Sequence, residues 1–487
     1  MADTAVEPSV LPLSKKQQRK QDKARWLAER KAKQLAEGLT SSKRKRRNQR
    51  KSRVAAVDAS ARSSPTVHYE DCASTTCANR SCRIRTVAPY LHCFALYAKG
   101  RWAGRSLREL FAEEFPTLSA SYCSQAARLG LVRLNGEPAD LDAIVNEGDF
   151  LEHLKHRHEP SVHLPASNAS ALSTTWIHFE TDDVMVVDKP SGLPVHPTGS
   201  YQFNSLTYML QHDRSEVAKK LEAEVAVVKP LELFPVHRLD RLTSGLLLLG
   251  KTPDKARSLT AELTATSSLT GDGVGSRSVR KFYVARVQGE FPESIEGFAG
   301  VEGMGSGLVK IESTSDGFWR VTAPIGMMSP RQGHTRCVSD AEDAKPCVTL
   351  VRRRGEVING ESIVECLLVT GRTHQIRVHL QHLGFPIVND PLYGPAKIVE
   401  KNATEMPSGV DRRTYNQTTA TTLGTNVAGE KECQDSDEQR SIRVCENCIA
   451  EKEGSSEEDV VLWLHSFRYE SPDWSFSVPL PCWASLS

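Results

Sequence analysis

The clearest hydrophobic pattern in the chain is Leu246-Leu247-Leu248-Leu249, closed at each end by Gly245 and Gly250 and preceded by His237-Arg238-Leu239-Asp240-Arg241-Leu242-Thr243-Ser244. The run is too short for a membrane span, and it predicts a buried strand fed by a polar loop. Asp240 then stands at the mouth of that strand, close to low dielectric, with Arg238 and Arg241 beside it. A carboxylate there needs a cationic partner to stay ionised. Val184-Met185-Val186-Val187 predicts a second buried strand, turned at Pro190 and Gly192. Residues 253–263 read as a helix, and 319–323 and 347–352 read as strands. Upstream, Leu107, Leu110, Phe111 and Phe115 fall at helical spacing, and 121–129 predicts a second helix capped by Gly130. Residues 131–134 read as a strand, Asn135-Gly136 as a tight turn, and 148–152 as the return.

Other stretches carry no such pattern. Residues 1–85 begin with a basic region over 14–53, including Lys43-Arg44-Lys45-Arg46-Arg47, with almost no apolar stripe. They predict a disordered basic arm, suited to holding RNA or to nuclear import. Residues 264–278 and 399–459 are polar and predict two disordered insertions in the larger globular region. The expected organisation is an arm over 1–85, a small module over 86–160 and a larger domain over 165–487.

Net charge is only +2 across 487 residues, so the basic character is local. Nothing reads as a transmembrane run, signal peptide or transit peptide, and a soluble protein of cytoplasm or nucleus is expected, with an organelle also open. Twelve cysteines without framework spacing read as reduced thiols. Cys72, Cys77 and Cys82 recur every five residues, and Cys445-Glu446-Asn447-Cys448 is a single C-x-x-C with Cys433 upstream. Zinc sites want four ligands in paired knuckles, and neither group supplies them by itself, so no metal is expected.

The Asp240 stretch closely resembles the H-R-L-D-x-x-T-S-G-L-L motif of the RluA-type pseudouridine synthases. Three more stretches follow in that family's order. Asp188-Lys189-Pro190-Ser191-Gly192 through Val195-His196-Pro197 resembles its D-K-P element, and Lys281-Phe282-Tyr283-Val284-Ala285-Arg286-Val287 its K-x-Y-x-A-x-V. Gly371-Arg372-Thr373-His374-Gln375-Ile376-Arg377-Val378-His379 resembles G-R-T-H-Q-I-R-V-H, trailed by Gly384, Asp390 and Leu392-Tyr393-Gly394. His156-Arg157-His158-Glu159-Pro160 is similar to the eukaryotic branch that includes the tRNA pseudouridine-32 synthases. The resemblance implies an α+β catalytic domain on a mixed, largely antiparallel sheet, with 86–160 similar to an S4-type RNA-binding module.

It also implies the chemistry. Uridine becomes pseudouridine when the N-glycosidic bond breaks, the base turns, and C5 takes the sugar carbon; nothing is oxidised and no cofactor is needed. Asp240 is implied as the nucleophile, Arg377 as its partner, and Tyr283 as the surface under the flipped uracil and a candidate for proton transfer. Arg238 would fill the gap left by the extruded nucleotide, with Arg372 and His374 beside the substrate. Local pattern supports part of this. Thr373 can cap a helix whose Ile376, Leu380 and Leu383 form an apolar stripe, leaving His374, Arg377 and Gln381 on another face. In the small module Arg105, Arg108, Arg128 and Arg133 are candidate phosphate contacts. The expected partner is RNA, tRNA foremost, with no membrane, no obligate protein partner and a monomeric chain.

Three rivals remain open at this stage. A glycosidase-like hydrolase would need a second carboxylate. A zinc deaminase could use His178-Phe179-Glu180 with Cys445 and Cys448, though the proline-cysteine start of the second half is missing. A non-catalytic RNA-binding protein could keep the same fold.

Overall fold

The computed structural model describes residues 66–71, 82–165, 175–221, 231–269, 275–304, 306–328, 335–394, 436–450 and 461–484. The basic cluster over 14–53, with Cys72, Cys77 and Cys433, lies outside these residues. The chain divides into two compact units, and the smaller contains 90–157 together with 430–453.

The larger unit is built on an eleven-stranded sheet, counted among the described residues. Its main path runs Lys310–Ser313, Trp319–Thr322, Val348–Ile358, Glu361–Leu368, Arg280–Gln288, Leu464–Glu470, Ser244–Gly250, Val184–Lys189 and Ile177–Glu180. Neighbours pair antiparallel except Ser244–Gly250 with Leu464–Glu470, which run parallel. The protein therefore has the α+β fold with a mixed, largely antiparallel sheet that its motifs imply.

Burial explains the unbroken leucine run. Leu247 and Leu249 enter one core with Met185 and Val187, while Leu246 and Leu248 enter a second with Val184 and Val186. A strand covered on both faces has no solvent side to mark with polar residues. The second of these cores is closed by the helix Pro253–Thr264, which buries Ala256, Leu259 and Leu263. Thr252 caps it by accepting from the Lys255 N–H at 3.2 Å.

Gly245 is required by its neighbour. Its φ is +107°, and a Cβ there would lie 2.1 Å from the Ser466 carbonyl oxygen. Ser244 and Gly245 pair with His465 and Ser466, so the aspartate strand and the C-terminal strand meet at a point with no room for a side chain.

The smaller unit carries a four-stranded antiparallel sheet in the order Tyr90–Tyr97, Phe150–Arg157, Val132–Leu134, Glu137–Pro138. Helices Leu107–Glu114 and Ala120–Arg128 pack Leu107, Leu110, Phe111, Tyr122 and Ala126 into its core. Asn135 and Gly136, at φ 59° and 100°, make the expected tight turn. The turn returns through Glu137–Pro138, however, and the 148–152 region joins the other side of Val132–Leu134 as part of Phe150–Arg157.

Three segments expected to lack structure have it. Val67–Asp71 and Cys82–Val87, reaching into the predicted arm, pair with each other, and the latter also pairs with Val162–Pro165. Thr266–Leu269 and Gly275–Arg277 form a hairpin inside the first predicted insertion. Within the second, Asp437–Arg443 and Glu446–Ala450 are helices. Ser436 and Gln439 form a full capping box on the first, and Val444 enters the small core. Hydrophobicity alone missed this helix because tertiary contacts and a polar cap hold it, with little apolar surface of its own.

Candidate active site

The Asp240 loop is held from below by the D-K-P element. Lys189 is fully buried, and its Nζ donates to the carbonyls of Pro190 and Leu193 at 2.8 Å and of Arg241 at 3.1 Å. Loss of solvent pushes its ammonium down to about 7, with the nearby Asp240 charge pulling the other way. Ser191 Oγ donates to the Leu242 carbonyl at 2.5 Å. Two side chains of one strand end thus grip the backbone on the C-terminal side of Asp240. His237 sits on its other side, where Nε2 accepts from the Leu248 N–H at 3.2 Å. That acceptor role requires a neutral ring, and desolvation followed by the Lys281 charge lowers its pKa in agreement. His237 is a structural acceptor here.

Above the loop opens a cavity of about 550 Å³, within the range of small-molecule sites. Asp240, Arg238, Tyr283, Arg372, His374 and Arg377 all line it. The chain thus brings together, from three separated stretches, all six residues singled out for catalysis and substrate contact. Lys281, Arg336 and Gln375 also line it and had no assigned part. Asp240 is the one carboxylate among the described lining residues, and its side chain remains 29% exposed.

Arg377 is placed differently from the expectation. Its guanidinium reaches Asp240 only at 4.0 Å, while Nε and Nη2 donate to the two carboxylate oxygens of Asp390 at 2.7 Å each. The fork is therefore spent on Asp390, which is completely buried and also accepts from the Leu392 and Tyr393 N–H groups. Burial is the largest single influence and works against the Arg377 charge, but the Asp390 hydrogen bonds together with the Asp390, Asp240 and Tyr393 charges outweigh it and raise its pKa. One Nη1 corner is left facing Asp240. His374 lies closer, with Nε2 at 3.7 Å from Asp240 and Nδ1 at 2.9 Å from the Tyr393 hydroxyl. Desolvation lowers the His374 pKa although Asp240 opposes it.

The helix carrying Arg377, Gln375–His382, starts one residue later than expected. Its N-cap is His374 in the left-handed conformation at φ 59°, without a side-chain cap, and not Thr373. The preceding loop is fixed by Gln375. Its Nε2 donates to Val348 O and Thr349 Oγ1, and its Oε1 accepts from Thr370 Oγ1 and the Arg372 N–H. Gln375 follows His374 in the motif, but no spacing argument marks it as the anchor. Gly384, at φ 87°, follows the C-cap Leu383.

Tyr283 stands on Arg280–Gln288, where side chains alternate between faces. Phe282 packs with Phe318 and Leu367, while Tyr283 joins the main core. Its hydroxyl lies 3.2 Å from that of Tyr469, leaving the ring to wall the cavity.

Comparison with known sequences gives this constellation a family. The profile of the RNA pseudouridylate synthase family matches residues 183–382. The chain is 32% identical over 420 residues to the mitochondrial tRNA pseudouridine(32) synthase of Saccharomyces cerevisiae, covering 82% of this chain and 77% of that protein. It belongs to the RNA pseudouridine synthase family. It is also 32% identical to pseudouridylate synthase RPUSD2 of Mus musculus over 82% of this chain and 71% of the relative. With the tRNA pseudouridine(31) synthase of S. cerevisiae the identity is 30%, over 83% and 96%. The protein is an RNA pseudouridine synthase of the RluA type. The family match stops before Asp390 and Tyr393, so two residues that fix Arg377 and His374 lie beyond it.

The four arginines expected to follow phosphates belong to the smaller unit of this synthase. Arg105 pairs with Glu113 at 2.7 Å, Arg108 with Asp142 at 2.9 Å, and Arg133 with Asp437 at 2.9 Å. Arg128 is exposed in the last turn of its helix.

Proposed function

We propose that this pseudouridine synthase acts on a uridine of the tRNA anticodon stem-loop, at position 32, after swinging it out of the stack. Asp240 acts as nucleophile toward the sugar–base junction, so that the N1–C1′ bond breaks, the uracil turns, and a C5–C1′ bond forms. N1 gains a proton and C5 loses one, with Tyr283 as the candidate for that transfer and as the surface that carries the ring. Arg377, fixed by Asp390, and His374, fixed by Tyr393, set a positive and a hydrogen-bonding wall against Asp240. Arg238 occupies the vacated place in the stack, and Arg372 contacts the substrate backbone.

The observation that carries this reading is a single, partly exposed carboxylate sharing a cavity of about 550 Å³ with Arg238, Lys281, Arg336, Arg372 and Arg377. A two-carboxylate hydrolase is disfavoured by the same fact, since Asp240 has no acidic partner among the described lining residues. Glu180, the acid of the deaminase reading, is engaged by Lys251 at 2.9 Å. The names of two relatives, for tRNA positions 32 and 31, favour tRNA over ribosomal RNA as substrate. The smaller unit serves as an S4-like RNA-binding module, and the basic region over 14–53 adds charge for RNA.

Pseudouridine mapping after incubation with unmodified tRNA, large-subunit ribosomal RNA and stem-loops bearing single uridines tests the target. Product at uridine 32 is expected. Product confined to ribosomal RNA would overturn the tRNA reading and leave the chemistry standing.

A further inference from the structure

The smaller unit holds a second cluster of reactive side chains that the isomerisation does not use. Cys445 and Cys448 stand at the start of Glu446–Ala450, and His156 near the end of the strand Phe150–Arg157. The two regions are 292 residues apart in sequence, yet Cys448 Sγ lies 3.3 Å from His156 Nδ1. The ligand atoms of His156, Cys445 and Cys448 all fall within 4.8 Å of one another. Cys445 and His156 are 5% and 6% exposed, and Cys448 is half-buried.

We propose that His156, Cys445 and Cys448 bind a zinc ion. Tetrahedral zinc, with Zn–S near ~2.3 Å and Zn–N near ~2.0 Å, spaces its ligand atoms about 3.5 Å apart, which the sulfur–imidazole separation already approaches. A spacing of three positions puts both cysteines on one side of a helical turn. The C-x-x-C is thus completed by a histidine far upstream in the sequence. Each thiol gives up its proton on binding and the imidazole binds neutral, so the set carries charge −2 against the ion's +2. Closure of so long a loop by one ion would hold the segment 436–450 against the strand and helices of its own unit.

Metal content of the full-length protein, purified in reductant, reconstituted with excess zinc and freed of unbound metal, tests this. About one zinc per chain is expected. Cys448→Ser and His156→Ala should each lose most of it, and Asp240→Asn should keep it in full. Cobalt in place of zinc should show thiolate charge-transfer absorption and the intense bands of a tetrahedral site. That reading needs only the wild-type protein, should the variants fail to fold. A wild-type chain that takes up no zinc and shows no such cobalt spectrum would leave only a thiol–imidazole hydrogen bond. Full zinc retention in both Cys448→Ser and His156→Ala would place the metal elsewhere. Either result overturns the proposal.

Discussion

Arg377 and Arg133 each hold an aspartate, in unlike surroundings. Arg377 grips Asp390 in the larger unit with a fork of Nε and Nη2, while Arg133 reaches both oxygens of Asp437 in the smaller with Nη2 alone. The first pair is 3% and 0% exposed, the second 27% and 28%. Burial decides what such a pair does. A dry fork has no competing water and fixes the guanidinium in one orientation, so that a single corner is offered to Asp240. A partly exposed pair exchanges its partner at little cost and can release its arginine to a phosphate.

The difference can be broken from its larger end. Asp390→Ala leaves the Arg377 charge buried and uncompensated, which costs roughly 3–5 kcal/mol. A denaturation series should show that loss, with catalysis failing in whatever protein still folds. Asp390→Asn keeps the shape and should fold better while still turning over slowly. A wild-type rate in Asp390→Asn would mean that Arg377 needs no fixing.

A steric contact of equal burial should weigh nearly as much. Gly245→Ala drives a methyl against the Ser466 backbone at positive φ, and a loss of about 3 kcal/mol is expected in thermal or urea unfolding. An unchanged midpoint would show that the two strands can part there without penalty.

Burial of neutral rings should appear as acid sensitivity. His379 and His465 are lowered from 6.5 to about 4, chiefly by desolvation, while hydrogen bonds to the Ala323 and Pro479 carbonyls oppose it. Between these values the unfolded chain binds the extra proton, so each ring's contribution is present above pH 6.5 and lost as pH falls toward 4. Each costs up to about 1.4 kcal/mol per pH unit across that window. Urea midpoints that stay level from pH 7 to pH 4 would contradict this.

The smallest effect belongs to the exposed pair. Arg133→Gln should change stability by less than about 1 kcal/mol. It should reduce the slope of log affinity for RNA against log salt by about one if Arg133 turns to a phosphate. An unchanged slope would assign Arg133 to Asp437 alone.

The same contrast separates what was legible in the sequence from what was not. Asp240, Tyr283 and Arg377 stand in dense local motifs, and the leucine run announces its strand, so part of the lining of the cavity could be read directly. Supporting contacts were harder to read because they join distant segments. Asp390 was visible only as a trailing residue, and nothing in its spacing says that it takes the fork expected for Asp240. Lys189 reads as a charged residue at a strand end, yet it is buried beneath the Asp240 loop on three carbonyls. The helix Asp437–Arg443 did carry a local sign, the Ser436–Gln439 capping box, which its polar composition outweighed.

The central claim is that Asp240 does the chemistry in a site that leaves it partly exposed among cations. Its most direct test is Asp240→Asn, with pseudouridine formation and RNA affinity measured on the same preparation. The account predicts no detectable product, with affinity for the stem-loop within a few-fold of wild type. Pseudouridine formed by Asp240→Asn at a rate comparable to the wild-type enzyme would contradict it.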